Sequence, residues 1–176
     1  TLLLLGIAFY LLFIYKVYKT RLRKTLDTGL KYSVLALIFL LIPVFIALYL
    51  IHFKADQMEI FNLSINYGLS IILGVISTLI LGQIYKTLPF IIWLERYQKQ
   101  VGKYKTPLPR ELYSEKLAKI QMYIFIASYM LMVTGILFKH IPLLKLGIVL
   151  LIFTAAFNLY NILKIIFHKV ELKELN

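Results

Sequence analysis

Apolar runs long enough to cross a bilayer recur along the chain, separated by short stretches that are mostly basic. About 20 residues of helix cross the hydrocarbon core. The runs extend from about Leu2 to Tyr15, Leu30 to Phe53, Phe61 to Tyr85, Leu117 to Phe138 and Pro142 to Phe167. The third continues with Phe90, Ile91, Ile92 and Trp93. None alternates, which argues against a barrel, and backbone amides in hydrocarbon must find partners inside their own segment. The expected fold is an all-α polytopic transmembrane bundle of about five helices, with residues 1–176 forming one domain.

Composition agrees. Hydrophobic residues make up 61% and charged residues 16%, and the mean hydropathy is +0.83. Soluble domains run nearer 45–50% apolar and 25% charged, so the excess has to face lipid. The same excess excludes disorder. With no cysteine, the chain has no disulfide, thiolate metal site or cysteine nucleophile. The net charge of +12 has a membrane use, orienting loops and meeting anionic head groups, so no nucleic-acid partner is expected.

The basic residues set a topology. Lys16, Lys19, Arg21, Arg23, Lys24 and Lys31 gather around the first loop. Lys86, Arg96, Lys99, Lys103, Lys105, Arg110, Lys116 and Lys119 gather around the third, and Lys169 and Lys173 lie in the tail. The second and fourth loops are poor in charge. By the positive-inside rule the N-terminus lies outside and the C-terminus is cytoplasmic. An outside start without a basic flank reads as the C-terminal portion of a longer chain. The stretch 95–115 is a basic cytoplasmic loop containing Thr106-Pro107-Leu108-Pro109, expected to be extended, followed by Ser114 as a helix cap. Lys103, Lys105 and Arg110 make it the candidate surface for a partner or for lipid head groups, against the plainer role of fixing topology.

Polar residues within spans are the other candidates. The third run holds Ser64, Asn66, Tyr67, Ser70, Ser77, Thr78 and Gln83 with Gly68, Gly74 and Gly82. Ser70, Gly74 and Ser77 are expected on one face, where small residues let helices approach. Asn158 and Asn161 share a face of the last run and are expected to contact another helix. No acidic residue lies inside a run, which argues against ion-coupled transport through this segment. The histidines, His52, His140 and His168, form no paired motif, and no catalytic motif is present. The reading is therefore no catalytic centre in this segment and no metal site, with Tyr67, His52 and His140 as the only cofactor candidates.

One stretch is more specific. Gly82-Gln83-Ile84-Tyr85-Lys86-Thr87-Leu88-Pro89, of the form Gly-x-x-Tyr-x-x-x-Pro, is followed by Lys116-Leu117 and by Gln121-Met122-Tyr123. This resembles the cytoplasmic end of the tenth helix and the opening of the eleventh in haem–copper oxidase subunit I-like membrane proteins, of the C-type oxidase and nitric-oxide reductase branch. Five spans from outside to inside match helices eight to twelve of that family. Family histidines would fall near Tyr67, Gly68 and Leu69 and at Gln121, and none is present. The resemblance implies a non-catalytic, structural or accessory subunit of a respiratory membrane complex in a bacterial inner membrane. Other membrane subunits would be its partners, with haem only if a preceding half supplies ligands. The alternative is an unrelated transporter module or membrane scaffold.

Overall fold

The structure is a computed structural model that describes residues 2–20, 26–168 and 173–174. The chain is helical almost throughout. Helix α1 spans Leu2–Thr20, α2 Thr28–Phe39, α3 Leu41–His52, α4 Gln57–Leu69, α5 Thr78–Tyr97, α6 Glu115–Leu137 and α7 Ile141–Ile166. A π-helical segment, Ser70–Ser77, joins α4 to α5. Two-residue strands, β1 at Tyr104–Lys105 and β2 at Lys173–Glu174, pair antiparallel beside the bundle. Arg21, Arg23, Lys24 and Lys169 lie outside the described residues.

All five expected runs are helical. Among the described residues, four helical segments are long and apolar enough to cross a membrane: Thr28–His52, Gln57–Gln100, Glu115–Leu137 and Ile141–Ile166. The first run lies in helix α1, which is 19 residues long. Helix α1 contributes no buried residue among those described, with Phe9 and Phe13 well exposed.

Helix starts follow from side-chain caps. Asp27 accepts from the Leu30 amide at 2.8 Å and Asp56 from Glu59 at 2.6 Å. Ser114 accepts from Leu117 at 3.3 Å, the cap expected from sequence. Each bond satisfies an amide that has no partner in a first turn. The step at Leu40 between α2 and α3 also has a local cause. Pro43 has no N–H, so the Phe39 carbonyl lacks its partner in the helical ladder. Pro89 interrupts the ladder in the same way at Tyr85, yet α5 runs through it to Tyr97. The Gly82–Pro89 motif therefore sits inside a helix, not at its end. The basic loop is correspondingly shorter than residues 95–115.

Packing depends on close backbone approaches. A methyl group on Gly82 would meet the Gly29 carbonyl oxygen and Tyr32 Cβ, both at 2.8 Å. One on Gly29 would meet the Gly82 carbonyl oxygen at 2.7 Å. Here α2 and α5 touch main chain to main chain. Helices α6 and α7 form a hairpin closed by similar contacts at Gly135 and Gly147, and the Ser128 hydroxyl donates to the Gly147 carbonyl at 2.7 Å.

The buried face of the long third segment runs through Asn66, Ser70, Gly74, Thr78 and Gly82. A four-residue spacing drifts by about 40° per step on an α-helix of 3.6 residues per turn. The wider π-helical turn takes that drift back. Thr78, not the expected Ser77, therefore joins Ser70 and Gly74. Ser77 turns its hydroxyl to the Ile72 carbonyl at 2.9 Å instead.

Gly82→Ala should lower the thermal unfolding midpoint in detergent by the equivalent of about 1–3 kcal/mol, the usual cost of overpacking. Gly68, with nothing within 4 Å of an added methyl group, should tolerate the same change.

Candidate functional site

At the basic end of the bundle the side chains converge on Tyr85, which is 3% exposed. Its hydroxyl donates to Gln121 Oε1 on α6 and accepts from Asn161 Nδ2 on α7 at 3.1 Å. Asn161 Oδ1 in turn accepts from the Ser114 amide at 3.2 Å, at the start of α6. One phenol and two amides thus tie three helices and a helix cap together. Tyr32 stacks against the Tyr85 ring at 6.1 Å and Tyr113 tilts against it at 5.1 Å. The expectation that Asn161 contacts another helix holds. Asn158 is only half-buried, and its Oδ1 has no hydrogen-bond partner.

Above this hub lies a cleft of about 700 Å³. Its walls are the start of α2, the Tyr85–Pro89 turn of α5 and the first turns of α6, and the Leu108–Tyr113 segment completes it. That segment is held down at several points. Leu112 is fully buried, Trp93 Nε1 donates to the Pro107 carbonyl at 2.6 Å, and the Leu108 amide donates to Glu111 at 3.1 Å. Leu108 is extended as expected, with φ −78° and ψ 150°, and a short 3₁₀ turn begins at Pro109 and runs to Leu112.

Four basic side chains line the cleft: Lys31, Lys86, Arg110 and Lys119. Two acidic ones, Asp27 and Glu115, share it. Burial lifts the Tyr113 phenol above its ordinary value, while a Thr28 hydrogen bond and the Arg110 charge pull the other way. Thr28 and Tyr113, 85 positions apart in sequence, meet here, at the ends of the first and third loops. Those two loops therefore lie at the same end of the bundle, as their charge implied.

The sequence-derived candidates separate into groups. Arg110 reaches the cleft, while Lys103 and Lys105 do not line it, and Lys105 sits in β1 opposite Lys173. Of the family-like motif, Gly82, Tyr85 and Pro89 are buried, at the helix crossing and the hub. Lys116 and Leu117 line a second groove of about 510 Å³ with Tyr160 and Lys164. The cofactor candidates each have their own local setting. Tyr67 is 42% exposed, His52 bonds the Leu48 carbonyl at 3.0 Å, and His140 caps α7 by accepting from Leu143 at 3.3 Å. Among the described residues no group of three or more His, Asp or Glu side chains is placed to hold a metal ion. His168 packs its ring on Tyr97 at 6.2 Å, and Arg96 bonds the carbonyls of Ile166 and His168, fastening the end of α7 to α5.

Comparison with protein-family models, with curated proteins and with solved structures finds no match.

Sequence reasoning named Lys31, Lys86 and Lys119 only as topology signals and did not find the Tyr85–Gln121–Asn161 hub. Those three residues come from separate spans, and no local spacing connects them. Tyr85→Phe should leave Gln121 Oε1 and Asn161 Nδ2 without their partner and destabilise the protein by about 1–3 kcal/mol. The check is the unfolding midpoint in detergent, with Tyr123→Phe, on an exposed ring, as the neutral comparison.

Proposed function

We propose that this chain is a non-catalytic integral membrane subunit that works, structurally or as an accessory, within a larger membrane assembly. The observation that carries this reading is how little of its apolar surface the chain covers itself. In the most apolar stretches of the four spans only 22, 28, 39 and 17% of residues are buried. Lipid accounts for the middle of each span. Phe90 and Ile91, 51 and 52% exposed one turn beyond Lys86, carry that uncovered apolar surface on toward the basic end of the span. The Gln57–Gln100 segment supports the same reading. Its 44 residues correspond to about 66 Å of helix, twice the hydrocarbon thickness, so much of it stands clear of the bilayer core. Such a projection suits contact with a neighbouring subunit.

The oxidase-related form of this proposal rests on the Gly82-x-x-Tyr85-x-x-x-Pro89 stretch and on Lys116-Leu117. Under that reading the bacterial inner membrane is the setting, and Tyr67 and Gln121 stand at or beside family ligand positions.

A transport module is the second reading, favoured by one observation. Asn66 is fully buried with both amide atoms unpartnered, and the Ser70 and Tyr129 hydroxyls are buried nearby in the helix stack without closing a normal hydrogen bond. Buried polar groups within a span mark pathways as well as helix contacts.

Full-length protein purified in mild detergent separates these readings. The expected result is a stoichiometric membrane partner, lost in Phe90→Glu/Ile91→Glu, with no haem band in the reduced-minus-oxidised spectrum. A lone monomer, or stoichiometric haem, would overturn the non-catalytic accessory role. Substrate-dependent flux in proteoliposomes, abolished by Asn66→Leu, would replace it with transport.

A further inference from the structure

The geometry points to an anion-binding site in the cleft above Tyr85, built to take a phosphate-bearing group. This inference is independent of the accessory-subunit reading, since it concerns only side chains that the chain itself brings together.

Four cations from three helices and a loop line one partly enclosed space: Lys31 on α2, Lys86 on α5, Arg110 on the loop and Lys119 on α6. Among the described residues no ion pair neutralises any of them. The two acidic side chains have local roles. Asp27 caps α2 through its bond to the Leu30 amide, and Glu115 stands in the first turn of α6, where the helix dipole favours negative charge. The cations have no such assignment, and like charges in a cleft with low-dielectric walls repel one another while raising the local concentration of anions. A bound anion relieves that repulsion.

Phosphate fits better than a lone carboxylate. It carries more charge and more acceptor oxygens, enough for several donors at once, and the guanidinium fork of Arg110 matches its geometry. The floor is also polar. The Tyr85 and Tyr113 side chains and Thr28 line it beside the cations. The volume of about 700 Å³ accommodates a phosphate with an attached organic group. The cleft opens at the basic end of the spans, the level at which lipid phosphates lie. A head group and a soluble phosphorylated molecule present the same chemistry there.

The only tryptophan, Trp93, bonds the Pro107 carbonyl beside the Leu108–Arg110 wall and is a natural reporter. The full chain is titrated with inorganic phosphate in non-ionic detergent. It is then placed in phosphatidylcholine nanodiscs containing increasing phosphatidylglycerol. Trp93 fluorescence and the thermal midpoint are followed in both. The expected result is a saturable change in at least one series. A response to free phosphate identifies a soluble ligand, and a response only in nanodiscs identifies a head group. Lys86→Gln and Arg110→Gln should each weaken binding by about tenfold or more, while Lys103→Gln/Lys105→Gln should bind as the parent does. Lys86 and Arg110 are exposed, so these variants are expected to fold, and the midpoint without ligand checks that. Two outcomes overturn the proposal. One is no saturable change by either readout in either series. The other is equal weakening by the Lys103/Lys105 variant, which would mean diffuse surface charge.

Discussion

Helices α2 and α5 meet through bare backbone, and much of the architecture depends on that contact. With no side chain at Gly29 or Gly82 to hold them apart, the two helices approach until each glycine lies against the other's carbonyl. The approach seats the Tyr32 ring against the Tyr85 ring. It also brings Lys31 and Lys86 to the rim of the same cleft. Any larger residue at the crossing would separate the helices by more than its own bulk, because what opposes it is main chain and not a flexible side-chain tip. Helix association in lipid gains little from the hydrophobic effect, so close packing of this kind has to supply much of the cohesion.

The polar groups at the basic end are arranged by the same economy. Tyr85, Gln121 and Asn161 each carry atoms that would be costly to bury alone. Together they satisfy most of one another and tie α5, α6 and α7. The short turn after α6, with Lys139 in the left-handed region at φ 53°, folds α7 back so that Asn161 returns to the level of Tyr85. The hub thus depends on the length of the α6–α7 hairpin as much as on its own residues.

Much of this was legible in the sequence, for identifiable reasons. The spans were readable because hydrocarbon thickness fixes a length and a composition. The shared side of the first and third loops was readable because charge bias sets it. Ser114 was readable as a cap because its effect is confined to one turn. What could not be read depends on contacts between distant segments. The glycine-to-proline motif was expected at a helix end from its family resemblance, yet α5 runs past Pro89 to Tyr97. The stripe of small residues was placed one residue off at Ser77, because an ideal α-helix was assumed across a segment that is wider. The cleft needed residues 31, 86, 110 and 119 to meet, and no periodicity joins them.

The widened turn at Ser70–Ser77 bears on how this helix tolerates insertions and deletions. A π-helical segment behaves like an α-helix carrying one surplus residue. Losing a residue there could leave an unbroken helix of ordinary pitch, with every amide still satisfied inside the membrane. It would also turn everything on one side by about 100° relative to the other. The Asn66 half and the Gly82 half could then no longer address their separate neighbours at once. The segment works as a phase adjuster, and the chain length between Asn66 and Gly82 is set by angle more than by distance.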